Sequence, residues 1–211
     1  MRMMYILSMF TRESGVMEFR LSKPSDIDRV LELLDDGRKS LASSGIEQWQ
    51  GRYPDRAVVE TDIALQESYV VENEAGDLIA STVIGFNGEE NYSVIENGSW
   101  LTQALPTYTP YVVIHRMVVD RRFKGCGAAQ FMLQETERHA LEAQRQSVRV
   151  DTHPHNAAMI RLLERNGYSR CGFISIAHSE GFDPLRIAFE KVLMDTHSSL
   201  DFSLHSSLCV D

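Results

Sequence analysis

The chain has 211 residues, 43% of them hydrophobic and 24% charged, as is ordinary for one globular domain. Its 30 acidic and 21 basic side chains give a net charge of −9, which argues against general nucleic-acid binding and suits a cationic substrate. Three scattered cysteines exclude a disulfide framework and predict a reducing, cytoplasmic location. No run reaches the roughly 20 apolar residues of a membrane helix, so no membrane association is expected.

The first part of the chain predicts a strand and then helices. Residues 16–21 alternate like a strand. Ser25 or Asp26 can cap a helix whose apolar residues recur at helical spacing, and Gly37 either ends or kinks that helix. The elements that follow are a helical stretch at 38–44, an aromatic and polar loop at 45–54, and a helix at 55–66.

The middle of the chain predicts a hairpin and a central strand. Strands at 68–72 and 78–86 flank Asn73-Glu-Ala-Gly-Asp77, which is a turn signal. The polar segment 87–110 is long for an unstructured loop, so we expect it to be functional or to hold a short helix. The strand at 111–119 is apolar nearly throughout, as a strand buried on both faces would be.

The last part predicts two more helices and three strands. Asn156 can cap the second of these helices, and Gly167 can end it. In chain order the elements are a helix at 128–144, a strand at 147–152, a helix at 156–166, and an antiparallel pair at 171–177 and 185–193. We expect an extension at 1–15, one mixed α/β (α+β) domain at 16–195 with helices on a mainly antiparallel sheet, and a mobile tail at 196–211.

The segment Asp120-Arg-Arg-Phe-Lys-Gly-Cys-Gly-Ala-Ala129 joins the apolar strand to the start of a helix. A helix N-terminus presents unpaired backbone N–H groups and partial positive charge, which suit a phosphate. Glycine allows close approach of an anion, and Arg121, Arg122 and Lys124 add charge. The segment therefore predicts an anion site.

The order of elements and two motifs resemble the GNAT superfamily of acyl-CoA-dependent N-acetyltransferases. The family's glycine turn can be aligned in two ways: Arg122 with Gly125 and Gly127, or Lys124 with Gly127 and Ala129. We prefer the second because it places the preceding strand without a gap. The block Asn156-Ala-Ala-Met-Ile-Arg-Leu-Leu-Glu-Arg-Asn-Gly-Tyr168 is similar to the family's second motif. The resemblance implies the GNAT fold.

The resemblance also implies a site for acetyl-CoA. The amides of Lys124, Gly125, Cys126, Gly127, Ala128 and Ala129 would cradle its pyrophosphate. The backbone of Met117, Val118 and Val119 would pair with the pantetheine arm like an added strand, and an N–H near Val118 or Val119 would stabilise charge on the thioester oxygen. Asn156 joins these cofactor-binding residues.

Candidates for catalysis and acceptor binding lie within this strand and in segments that precede it in the chain. His115 is a general base or substrate-orienting group, or else a core histidine, and Glu47 could deprotonate an amine or bind its charge. Trp49, Tyr53 and Trp100 could line an acceptor pocket, although ordinary packing is an equal alternative.

One position departs from the family. Leu163 stands where the family often has a tyrosine that protonates the CoA thiolate, so no general acid is carried over. Cys126, at a helix start, could form a covalent acetyl-enzyme, although the resemblance implies direct transfer. Asp151, His153 and His155 lie together on the sequence, but two histidines on a loop make a poor metal site, so no metal is expected. His153 or His155 could instead approach the cofactor.

These observations predict acetyl transfer from acetyl-CoA to the amine of a small molecule or peptide. The alternatives are an acyl-CoA sensor of the same fold without turnover and a domain that binds another nucleotide. A homodimer is possible, because the C-terminal strands of such folds often lie at dimer contacts.

Overall fold

The computed structural model describes residues 16–105, 107–177 and 183–193. The extension expected at 1–15 and the tail expected at 196–211 lie outside the described residues. The strands are β1 (Met17–Leu21), β2 (Ser68–Asn73), β3 (Leu78–Gly85), β4 (Tyr111–Val119), β5 (Ser147–Thr152), β6 (Ser169–Ser175) and β7 (Leu185–Val192). The helices are α1 (Ile27–Ser43), α2 (Arg56–Ala64), α3 (Ala128–Glu142) and α4 (Ala157–Arg165), with 3₁₀ turns at Pro24–Asp26, Glu90–Tyr92 and Arg121–Phe123.

The strands form one 7-stranded sheet in the order β1-β2-β3-β4-β5-β7-β6. Every neighbouring pair is antiparallel except β4 and β5, which run parallel and are connected through α3. The expected mixed, mainly antiparallel sheet with helices is therefore confirmed. No helix within the described ranges has the length and apolar character needed to cross a bilayer.

Alternation along β4, shifted by one residue at a bulge between His115 and Val118, divides the core between the two faces of the sheet. Val112 and Ile114 pack in the cluster that contains Leu133 of α3 and Leu163 of α4. On the opposite face, Val118 packs with α1 and α2 residues. Tyr111 and Val113 contact a third cluster built from segment 87–110 and the last two strands. The central strand is thus covered on both faces, as its apolar sequence predicts.

The alternative in which Gly37 ends the helix is wrong, because α1 continues through this glycine to Ser43. A Cβ atom built on Gly37 would lie 2.9 Å from Cγ2 of Val118 and 3.5 Å from the Trp49 ring. Glycine is therefore required by the close approach of α1 to β4. The glycine at position 37 reflects packing between residues that are distant in the sequence. The periodicity of a single helix gives no information about such packing.

A buried ion pair fixes segment 87–110 to the sheet. Glu190 of β7 accepts hydrogen bonds from Nε of Arg149 (3.1 Å), from the hydroxyl groups of Thr102 and Ser147 (both 2.5 Å) and from the amide of Leu101 (2.5 Å). Glu190 and Arg149 are 0% and 2% exposed. Arg149 also lies between the rings of Trp100 and Tyr111, 4.1 and 3.7 Å from their centroids. The segment holds the short 3₁₀ turn at Glu90–Tyr92, as expected.

We expect Glu190→Gln to lower the free energy of unfolding by about 3–5 kcal/mol, because it leaves the Arg149 charge buried without its partner. Denaturant unfolding measures this change. The matched control is Glu164→Gln, which removes the carboxylate of the exposed ion pair with Arg170 (2.8 Å). It should lower the free energy of unfolding by only about 0–1 kcal/mol. Similar losses in the two variants would contradict a special role for the buried pair.

Candidate functional site

The site begins where β4 and β5 separate. Their parallel pairing runs from Tyr111 opposite Ser147 to Ile114 opposite Val150 and goes no further, although both strands continue. On its other edge β4 carries a bulge, because Ser81 pairs with Val118 and Val83 with His115. One extra residue of β4 is accommodated there, and Arg116 adopts φ +51°. Beyond Ile114, the edge of β4 that faces β5 is unpaired within the described residues.

The separation opens a cleft of about 710 Å³ between β4, β5, α1 and α4, called the cofactor cleft below. Six of the predicted cofactor-binding residues line it: Met117, Val118, Val119, Lys124, Ala129 and Asn156. The Asn156 side-chain oxygen accepts the amide of Met159 (3.2 Å), as predicted for a helix N-cap. Its side-chain NH₂ group donates to no acceptor among the described residues.

The glycine turn lies between Lys124 and Ala129. Gly125 and Gly127 have φ of +86° and +95°, and a Cβ on either would meet no heavy atom within 4 Å. The turn thus combines left-handed backbone with open space in front of it. The amides of Gly127, Ala128 and Ala129 donate to no acceptor among the described residues. The amide of Cys126 does donate, to the carbonyl of Phe123 (3.2 Å), so it is not free for an anion.

Asp120 binds Arg122, which is one of the three cations expected at the anion site. Asp120 is 1% exposed, accepts the amide of Arg122 (2.8 Å) and binds the guanidinium groups of Arg122 (2.7 Å) and Arg29. These contacts, led by the Arg122 side chain, hold the pKa of the Asp120 carboxyl well below its usual range. Arg121 and Lys124 line the cofactor cleft, whereas Arg122 does not. This placement favours the alignment that starts at Lys124.

A second cavity of about 690 Å³, the acceptor pocket below, lies on the other side of β4. Predicted site residues Glu47, Trp49, Tyr53 and His115 all line it. The pocket and the cofactor cleft share five lining residues, which mark the junction between them: Gln48, Trp49, Ile114, Arg116 and Asp151. A group entering through either cavity can therefore meet one from the other at this point.

Arg116 connects the bulge to the walls of the acceptor pocket. Its Nη2 lies 2.6 Å from Oδ1 of Asp62 in α2, and its Nη1 donates to the Tyr53 hydroxyl. Arg116 and Asp62 are largely buried, with side chains 12% and 10% exposed. Burial raises the pKa of the Tyr53 hydroxyl, and the neighbouring Arg116 opposes this shift. The hydroxyl therefore stays protonated at neutral pH.

The two predicted catalytic side chains differ in their surroundings. His115 has Nε2 3.4 Å from the Glu89 carboxylate. Burial, assisted by the charge of Arg116 and opposed by Glu89, lowers the pKa of His115 to about 4. The imidazole is therefore neutral at pH 7. Glu47 is an exposed residue of the loop between α1 and α2.

The structure does not bring Trp100 to either cavity. Its ring packs against Tyr92, with centroids 4.9 Å apart, and its Nε1 donates to the Tyr92 carbonyl (3.0 Å). This position does not support the acceptor-binding role predicted for it. His153 is 3% exposed and accepts the amide of His155 (3.1 Å), and neither histidine lines a cavity. Leu163 is 0% exposed in the core beside α4, so its position supplies no acid.

Asp151 is a site residue that the sequence did not reveal. It lies near the end of β5 and lines both cavities, with its side chain 13% exposed. One carboxylate oxygen accepts the Tyr92 hydroxyl (2.8 Å), and the other is 3.9 Å from Nε of Arg186. The sequence placed Asp151 only beside two histidines. Its proximity to the acceptor pocket depends on contacts with segment 87–110 and β7.

Comparison with known protein families shows to which family the chain belongs. The family model described as the acetyltransferase (GNAT) family matches residues 34–168, which is more than half of the chain. The chain belongs to the GNAT acetyltransferase family. It is therefore an acyltransferase by family, and the cofactor cleft lies within the matched region.

Solved GNAT structures share this architecture. A GNAT-family acetyltransferase from Streptococcus agalactiae is 29% identical, with a TM-score of 0.72 over 85% of this chain and 96% of that one. One from Listeria monocytogenes is 21% identical, with a TM-score of 0.63 over 87% and 99%. A ribosomal-protein-alanine N-acetyltransferase from Brucella melitensis is 15% identical, with a TM-score of 0.61 over 83% and 99%, and shows the fold alone. No curated protein sequence gives a significant match.

We expect acetyl-CoA to raise the melting temperature of the wild-type protein and Gly127→Leu to abolish that rise, because the side chain would occupy the open space before the helix amides. A leucine also strains a residue with positive φ, so the control is Gly76→Leu. Gly76 has φ +80° in the β2–β3 hairpin and lines neither cavity. Thermal-shift titration of both variants separates the two effects. A wild-type shift in Gly127→Leu would refute the assigned turn.

His115 should also make stability depend on pH. Its folded pKa of about 4 lies below the value of about 6.5 expected in the unfolded chain, so protonation favours unfolding. The stability of the fold that depends on a neutral His115 is complete above pH 6.5 and is lost as the pH falls towards 4. We expect His115→Gln to flatten the loss of stability across this window, measured by urea unfolding. The exposed His155→Gln is the control and should keep the wild-type slope.

Proposed function

We propose that this protein transfers an acetyl group from acetyl-CoA to the amine of a small molecule or peptide. The observation that carries the proposal is the junction of two cavities at the bulge of β4. A two-substrate transfer needs the donor and acceptor to approach one point from separate sides, held in a fixed geometry. The cleft between β4 and β5 would take the donor, and the acceptor pocket would take the amine.

Several features of the cofactor cleft suit acetyl-CoA. The glycine turn leaves open space before three unpaired amides, which matches a pyrophosphate at a helix N-terminus. Arg121 and Lys124 place positive charge beside it. The unpaired edge of Met117, Val118 and Val119 can hydrogen-bond the amides of the pantetheine arm as an added strand would. The pyrophosphate and the pantetheine arm of acetyl-CoA thus each have a chemically matched partner.

The acceptor pocket suits a cationic amine. Its lining includes the carboxylates of Glu47, Glu67 and Glu89 in addition to Asp151. Its two arginines are already engaged, Arg116 by Asp62 and Arg186 by the backbone carbonyls of Asp183 and Leu185. Trp49 and Tyr53 add aromatic faces, which attract an ammonium group.

The chemistry requires a neutral amine and stabilisation of the thioester oxygen. We assign the oxygen to a backbone N–H near Val118 or Val119, at the end of the bulge. His115, which is neutral, and Glu47 remain candidates to orient the amine or to accept its proton through a water. Acetyl-CoA supplies the activated acyl group when bound.

The decisive experiment mixes purified protein with acetyl-CoA and a panel of amines, and measures thiol release together with the acetylated product. We expect a rise in melting temperature with acetyl-CoA and turnover that depends on the amine. Competition with ATP should not remove that rise, because the pantetheine arm occupies the β4 edge. Binding of acetyl-CoA without turnover across the panel would favour the sensor alternative. No thermal shift at millimolar acetyl-CoA would count against both.

The expected cytoplasmic location, homodimer and absence of nucleic-acid and metal partners stay predictions from the sequence.

A further inference from the structure

Proton transfer is the part of the proposed reaction for which family resemblance assigns no residue here. Of the five side chains at the junction, glutamine, tryptophan and isoleucine do not titrate near neutrality, and arginine stays protonated. Asp151 is the remaining one and the junction's single carboxylate. It can therefore exchange a proton with groups in either cavity.

Both the backbone and the side chain of Asp151 are held in place. It pairs through its backbone with Ala188 of β7, and the Tyr92 hydroxyl fixes one of its oxygens. Tyr92 is 3% exposed and is in turn held by Trp100, whose ring packs against it at a tilt and whose Nε1 donates to its carbonyl. Trp100 therefore supports the site from behind instead of lining it. The second oxygen of Asp151 has no hydrogen-bond partner among the described residues, and the nearest cation, Arg186, lies 3.9 Å away.

We infer that Asp151 carries a proton from the acceptor nitrogen to the sulfur of CoA, in place of the tyrosine that is absent at Leu163. The inference rests on the proposed function. The acceptor enters as an ammonium ion and loses one proton to water in the pocket. Its nitrogen then bonds to the thioester carbon while the carbon–sulfur bond breaks. The nitrogen loses a second proton to the Asp151 carboxylate, which delivers it to the departing thiolate. The products are the amide, CoA thiol and one released proton.

The surroundings of Asp151 suit both halves of this role. The charged and titratable groups that face it are Tyr92, Arg186, Glu89, Tyr53 and Arg116. Burial raises the pKa of the Asp151 carboxyl, while Tyr92 and Arg186 oppose the shift. A carboxyl closer to neutrality accepts and returns protons more readily than an ordinary aspartate. Tyr92 remains a donor, because its own burial raises the pKa of its hydroxyl.

The alternatives are placed less well for a shuttle. His115 and Glu47 line the acceptor pocket but not the cofactor cleft, so either could take the amine proton without reaching the sulfur. Tyr168, at the end of the second motif, is buried in the core and lines neither cavity.

The test is Asp151→Asn in the full chain. We expect kcat to fall roughly 100- to 10,000-fold, as loss of general acid–base catalysis does, with the Kd for acetyl-CoA near the wild-type value. The control is Asp183→Asn, a neighbouring carboxylate near Arg186 that lines neither cavity and should keep wild-type turnover. Wild-type kcat in Asp151→Asn would overturn the inference. Absence of turnover in the wild-type protein with every amine would instead refute the proposed function.

A second variant covers the case in which Asp151→Asn fails to fold. Tyr92→Phe removes the hydroxyl that stabilises the charged carboxylate, so the pKa of Asp151 should rise further. The acid limb of the kcat profile marks protonation of the carboxylate, and we expect it to move to higher pH. A limb at the wild-type position would overturn the inference, because a purely structural loss would lower activity at all pH values alike.

Discussion

The end of pairing between β4 and β5 after Ile114 is the constraint on which the rest of the site depends. Parallel strands require a crossover, here α3, and the turn that begins it lies at the same end of the sheet as the separation. The separation of β4 from β5 and the crossover that starts beside it therefore supply the unpaired edge of Met117 to Val119, the helix amides and the space between them. The bulge at Arg116 places a non-glycine residue at positive φ, which costs about 1–3 kcal/mol. Its buried pair with Asp62 holds it there.

The bulge at Arg116 also links the cofactor cleft to the acceptor pocket. Because β4 gains one residue opposite β3, His115 lines the acceptor pocket while Met117 and Val119 line the cofactor cleft. Arg116 reaches across to Tyr53 and α2, so the loop that carries Glu47 and Trp49 is anchored to the strand that would bind the donor. Arg38 adds a second anchor by donating to the Trp49 carbonyl (2.8 Å). The pocket walls are thus positioned by β4 and by α1 together.

Local sequence signals predicted most of this fold. The β4 strand, the glycine turn and the Asn156 cap each depend on a few adjacent residues, and the structure contains all three. The ends of the strands were predicted less accurately, since β6 starts at Ser169 and not at residue 171. What the sequence could not reveal depends on distant partners. Gly37 lies against Val118, and Trp100 packs behind Tyr92, so neither the predicted helix end nor the predicted pocket wall is found. Arg122, predicted to bind phosphate, is held by Asp120, which is buried beside Arg29 of α1.

Under the proposed mechanism, the role that a tyrosine would have at position 163 belongs to a different element. The side chain of Leu163 completes the core between α4 and the sheet, with Ile160 and Leu133 in the same cluster, and this packing leaves no room for a titratable group. Leu162 faces the cleft instead, and it is also apolar. In the proposed reaction, proton transfer to the sulfur would then come from the strand side of the cleft. There β5, paired along its whole length with β7, presents Asp151 on a rigid element, which holds a catalytic geometry better than a loop does.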